Sequence, residues 1–142
     1  YLLESVLMPF VAAFAPEAVV VTCGTDALAG DPLSRLALSN VALWEAVERV
    51  IGAEGPAVVL GGGGYNPWTL ARCWTRLGGH DITDVLPEAA QQILRGLECD
   101  LDEDEAVDEA WFRTLADEPR PGTVREEVKS VAKRGRALHG LA

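Results

Sequence analysis

Two short stretches of this chain carry residue types that could do chemistry. The first is Gly24–Leu33, GTDALAGDPL, which holds two carboxylates, Asp26 and Asp31, just after the apolar run AVVVTC at Ala18–Cys23. A carboxylate at the C-terminal end of a strand can ligate a metal or act as a general base. It can equally bond the amides of its own loop as an Asx-turn. The second is Gly61-Gly62-Gly63-Gly64-Tyr65-Asn66, just after AVVL at Ala57–Leu60. Four successive glycines lose much backbone entropy on folding, so they belong where backbone must approach a neighbour closely or take positive φ. A tight turn alone would account for one or two of them. Tyr65 offers a phenol that can donate into a cleft, or a half-buried ring that packs on Trp68. Phosphate cradling fails on spacing. A P-loop needs Lys and Ser/Thr where Tyr65 and Asn66 stand, and a GxGxxG pattern counted from Gly61 reaches Asn66 at its last position.

Other polar candidates read as structural. His139 has no histidine or acid beside it, and His80, with Asp81 and Asp84, follows Gly78-Gly79 in what reads as a loop. The cysteines, Cys23, Cys73 and Cys99, are three in number and lack CxxC spacing, which suits reduced cytosolic thiols; Cys23 and Cys73 fit small core positions. Glu98–Glu109 holds eight acids and no base, and it lacks the Asp/Gly spacing of a calcium loop.

The elements that must position the two loops follow from periodicity. Tyr1–Phe14 has helical spacing interrupted by Pro9. Ala18–Cys23 and Ala57–Leu60 are short, unalternated and β-branched, as in buried parallel strands. Ser39 or Asn40 can cap a helix to about Ile51, with Val41, Trp44, Val47, Glu48 and Ile51 at helical spacing. Asn66 can cap the next, with Pro67 at its first position and Leu70, Trp74 and Leu77 along it. Strand–loop–helix–strand–loop–helix is a βαβ unit, hence an α/β fold with a parallel sheet and flanking helices. Ligands of such sheets gather outside the carboxyl ends of the strands, where both loops lie. Beyond Gly79 the pattern predicts a short helix at Pro87–Leu97, an anchor at Trp111–Leu115, a turn at Pro119–Gly122 and an amphipathic helix over Thr123–Leu138 with Val124, Val128, Val131 and Leu138 inward. We therefore divide the chain into residues 1–97, the sheet-bearing part, and 98–142, an acidic loop and helical tail.

The 142 residues suffice for one core. A net charge of −10, from 12 bases and 22 acids, repels phosphate backbones and argues against nucleic-acid binding. No apolar run reaches the ~18 residues of a membrane span. No basic n-region with a cleavage site is visible, so the expected location is cytoplasmic. A beginning at Tyr1, in mid-pattern and without Met, suggests that upstream sequence is missing.

Taken together, Pro16–Leu33, PEAVVVTCGTDALAGDPL, resembles the P-x-h-h-h-h-x-x-G-x-D-x-h-x-G-D-P/R-L segment of the zinc-dependent histone deacetylase family. Leu60–Asn66 with Ala71-Arg72-Cys73-Trp74-Thr75 resembles that family's L-G-G-G-G-Y … A-R-x-W-T segment. Asn66-Pro67-Trp68 and Trp111–Asp117 are most similar to the bacterial acetoin-utilisation (AcuC-type) deacetylases. The resemblance implies the arginase/deacetylase α/β fold and hydrolysis of an acetyl amide on lysine or a small amine. It makes Asp26 one of three zinc ligands and Tyr65 the catalytic donor to the acetyl oxygen. Leu33, Gly63 and Gly64 become walls of the acyl-lysine channel. The family's D-x-H ligands and its histidine pair have no counterpart here, so the resemblance implies the C-terminal portion of an enzyme, inactive alone. The implied partner is an acetyl-lysine protein or small acetylated amine; an oligomer is compatible, nucleic acid and membrane are not. The alternative is an inactive remnant or subunit that works by packing against another chain. A D-x-H upstream would favour the enzyme, and a natural start codon at Tyr1 the remnant.

Overall fold

The computed structural model describes residues 1–53, 55–79, 82–98 and 107–141. His80, Cys99 and most of the acidic run lie outside the described residues. The chain forms two compact units: residues 1–21, 46–59 and 121–142, and residues 22–45 and 60–120.

In the first unit, a π-helical turn over Leu3–Leu7 runs into helix α1, Met8–Phe14. The irregularity has a covalent cause. Pro9 has no N–H for the carbonyl of Ser5 four residues back, and the Arg136 guanidinium donates to that carbonyl instead (3.3 Å). Arg136 belongs to α5, Glu126–Leu138. Ala132 is the buried residue of α5; Val131 and Leu138 are exposed, so the inward face differs from the one periodicity predicted. His139 makes an edge contact with Phe10, ring centroids 5.0 Å apart.

Two strands, β1 (Val19–Cys23) and β2 (Ala57–Gly61), pair side by side. Val19 N–H donates to the carbonyl of Pro56 and Thr25 N–H to that of Gly63, an order that advances together and is therefore parallel. Their composition is that of strands buried on both faces, and with too few strands to cover them apolar surface is expected to be exposed: Val20 is 65 % exposed, and Val58 and Leu60 are exposed too. Two strands cannot cover themselves.

In the second unit the core is Leu28, Trp44, Cys73 and Leu115, with Val41, Leu77 and Leu86 packed on it. Trp44 comes from α2, Asn40–Ile51, and Cys73 from α3, Pro67–Gly78. Both predicted caps form. Ser39 Oγ accepts from Ala42 N–H, and Asn66 Oδ1 accepts from the amides of Trp68 and Thr69. The buried residues of α3 are Trp68, Thr69, Arg72 and Cys73, whereas Leu70 is partly exposed. Periodicity selects Leu70, Trp74 and Leu77; Leu77 does pack on the core, but the pattern cannot foresee the buried arginine. Helix α4, Glu88–Arg95, and a 3-10 turn, Glu109–Phe112, complete the unit.

Arg72 is buried because Asp117 meets it at 2.8 Å and the Thr114 carbonyl accepts from its Nε. Asp117 also accepts from the Asn40 amide with its other oxygen, at the N-terminus of α2. Asn40 answers reciprocally, accepting from the Asp117 amide and donating to the Leu115 carbonyl. Removing one partner of a buried ion pair leaves an uncompensated charge, at a cost of about 3–5 kcal/mol. Asp117→Ala should therefore lower the unfolding free energy by that order, seen as a lower urea midpoint, and adding Arg72→Met should recover part of it. Equal midpoints for wild type and Asp117→Ala would remove this network from the account.

Candidate active site

Both loops leave the strands at the same end, and their backbones run in contact. A Cβ at Gly24 would stand 2.5 Å from Asp26 Oδ1 and 2.7 Å from the Gly63 nitrogen; one at Gly62 would stand 2.9 Å from the Gly24 nitrogen. One at Gly63 would fall on the Asp26 carboxylate itself. The hydrogen bond from Thr25 N–H to Gly63 C=O (2.7 Å) carries the parallel pairing past the strands into the loops. The glycine run is thus a consequence of close approach rather than of a tight turn. Gly64 adds a backbone reason: its φ of +146° disfavours any side chain, and a Cβ there would strike Thr25 Oγ1. Gly61 has no such constraint, since its Cβ would meet only Trp74 at an ordinary 3.6 Å.

Asp26 therefore sits with its carboxylate against Gly24 and Gly63, half-buried at the carboxyl edge of the strands. Asp31 takes the Asx role. Its Oδ1 accepts from Leu33 N–H (2.9 Å) and its Oδ2 from Tyr65 N–H (2.8 Å). Asn66 Nδ2 donates to the Gly30 carbonyl (2.9 Å), so the dipeptides Gly30-Asp31 and Tyr65-Asn66 are bonded twice. The Tyr65 ring is 56 % exposed and Leu33 stands out into solvent. Trp68 is not the platform for Tyr65 that the sequence allowed; it is buried edge-to-face on Phe112 at 5.2 Å. A separate cavity of about 500 Å³ is lined by Gly30, Arg72, Trp111 and Asp117, without Asp26 or Tyr65.

Burial pushes the Cys73 thiol up to about 11 and raises that of Cys23. Both thiols stay protonated at neutral pH, which suits core residues and not nucleophiles or ligands. Among the described residues no three His, Cys, Asp or Glu side chains stand close enough to hold a metal ion. A catalytic zinc requires about three protein ligands. Asp26 has the donor chemistry and rigid backbone for one, and this chain by itself does not fit the whole site.

The model of the histone deacetylase domain matches residues 1–79 of this chain, more than half of it. The chain belongs to the histone deacetylase family. Histone deacetylase 8 from Danio rerio is 44% identical over 82 residues, covering 58% of this chain and 22% of that protein. Histone deacetylase clr6 from Schizosaccharomyces pombe is 39% identical over 92 residues, covering 59% and 23%. The crystal structure of an HDAC homologue from Aquifex aeolicus superposes with a TM-score of 0.78 at 37% identity, over 94% of this chain and 37% of that one. An HDAC homologue complexed with SAHA gives the same score at 36% identity. The arginase/deacetylase-like α/β fold expected from the motifs is the fold observed. The chain thus spans less than a quarter of either of these two curated deacetylases and little over a third of the solved homologue.

The spacing between the loops gives a graded test. Gly62→Ala, Gly63→Ala and Gly64→Ala should each destabilise by about 1–3 kcal/mol through overpacking, with Gly61→Ala nearly neutral. Four denaturation midpoints suffice to check this, and a uniform loss across the run would contradict it.

Proposed function

We propose that this chain is the C-terminal portion of a zinc-dependent deacetylase that removes acetyl groups from lysine or a small amine. The observation that carries the reading is the placement of the Asp26 carboxylate against Gly63, two residues before Tyr65, by loops bonded to each other. Family membership supports the reaction class, and the fraction of its relatives that the chain spans supports the portion. Asp26 would be one ligand of the zinc, with the other ligands supplied from outside these residues. Zinc, when bound, polarises the amide carbonyl and activates water.

The residues of this chain do the rest of their work by position. The Tyr65 hydroxyl, exposed at the loop edge, donates to the oxygen on which charge develops. Leu33 and the side-chain-free backbone at Gly63 and Gly64 wall a narrow channel suited to an aliphatic amine chain. The net negative charge favours a cationic substrate. Asn66-Pro67-Trp68 and Trp111–Asp117 favour an acetoin-utilisation type of enzyme, bacterial and cytoplasmic.

In the enzyme containing this chain, Tyr65→Phe should lower kcat by ~10²–10³, about 3–4 kcal/mol, because the bond is stronger in the transition state than in the ground state. KM should move far less. Asp26→Asn should lose bound zinc together with activity, since a neutral amide is a poor ligand. The 142 residues alone should not hydrolyse an acetyl-lysine peptide. Chelator-sensitive turnover by the chain alone, or a Tyr65→Phe enzyme of normal kcat, would contradict these assignments.

A further inference from the structure

Asp31 is a buried carboxylate, only 6 % exposed, whose hydrogen bonds among the described residues come from backbone amides and not from a cation. A carboxylate kept out of water needs compensation. Here that compensation is two backbone amides, one on each oxygen: Leu33 N–H and Tyr65 N–H. These amides belong to the residue proposed to wall the channel and to the residue proposed to donate to the substrate. Such hydrogen bonds to an ionised acceptor are the strong kind.

We propose that Asp31 is a positioning residue for the deacetylation, fixing Tyr65 through its backbone amide while setting Leu33 from the same side chain. It touches neither substrate nor reacting atoms. The inference rests on the reading of Tyr65 as the donor to the acetyl oxygen.

Asp31 holds residue 65 itself, where the bonds on either side hold Gly63 and Asn66. Tyr65 lies between Gly64, whose φ is +146°, and Asn66, which caps α3 with Oδ1 and holds the Gly30 carbonyl with Nδ2. Asn66 thus fixes the backbone after the tyrosine. Before it, the Thr25 amide holds Gly63, which leaves Gly64 as the one residue between that bond and the tyrosine. The bond from Tyr65 N–H to Asp31 Oδ2 is the tie on that side of the residue. Gly30, at φ +91° with Trp111 near where its Cβ would be, makes the bend that turns Asp31 toward residue 65. The same carboxylate closes its own Asx-turn onto Leu33, so a shift of one oxygen shifts the other.

An asparagine at 31 has the same shape but one acceptor oxygen. Its NH₂ would face one of the two amides, donor against donor. In the enzyme containing this chain, Asp31→Asn should lower kcat by up to about 10²-fold, the scale of a misplacement near 1 Å, with zinc content unchanged. In a Tyr65→Phe background the same substitution should change kcat by less than about twofold, because residues that act as a unit are not additive. Exchange of the Tyr65 amide should accelerate roughly tenfold or more in Asp31→Asn. A second variant keeps Asp31 and replaces Tyr65 by its α-hydroxy acid, which converts the N–H to an ester oxygen; it should reproduce the kcat loss. A purely structural aspartate would give additive losses in the double mutant, and that result overturns the proposal. So does an unchanged Tyr65 amide exchange rate, or a fully active ester variant. If Tyr65→Phe alone keeps full kcat, the donor reading of Tyr65 falls, and the exchange measurement still decides whether Asp31 holds this residue.

Discussion

The close passage of two backbones at Gly24, Gly62 and Gly63 is the constraint on which the site depends. Any side chain at these positions would meet main-chain atoms or the Asp26 carboxylate. Because nothing intervenes, the parallel ladder continues beyond the strands through Thr25 and Gly63. A loop carrying an acid and a loop carrying a phenol are thereby registered with the stiffness of a sheet. Loops usually carry function on a rigid scaffold; here the scaffold's hydrogen bonding extends into the loops themselves.

The same economy recurs further out. Asn66 caps α3 and grips Gly30, so the helix start and the acidic loop move together. Asp117 meets Arg72 on α3 and the first amide of α2, which ties the segment after the 3-10 turn to both helices. Asp31, Asn66 and Asp117 each bond two separate segments of this unit. That arrangement specifies register at positions where apolar packing, being non-directional, could not.

Much of this was legible in the sequence. The two motifs named the family, the strand–loop–helix alternation gave the α/β fold, and Ser39, Asn66 and Pro67 marked helix starts with a physical reason for each. Other features were not legible, and the causes are specific. A hydrophobicity pattern gives no reason to bury Arg72 until Asp117, 45 positions away, is known to be its partner. The inward face of α5 carries Ala132, which a hydrophobicity pattern ranks below Val131 and Leu138. The strands read as buried from their composition, yet burial depends on neighbours that these residues do not supply. The Asx alternative for Asp31 was open from the start, whereas its bond to Tyr65 spans 34 positions and only the fold could show it.

The central claim is that Asp26 is placed to ligate a catalytic metal beside Tyr65. Anomalous diffraction at the zinc edge, from crystals of the enzyme containing this chain, tests it directly. The account predicts a single strong peak about 2.0–2.2 Å from an Asp26 carboxylate oxygen, on the side of the loop pair from which the Tyr65 hydroxyl projects. A peak bound elsewhere with Asp26 uncoordinated, or one on the opposite side of the strand pair from Tyr65, would contradict it.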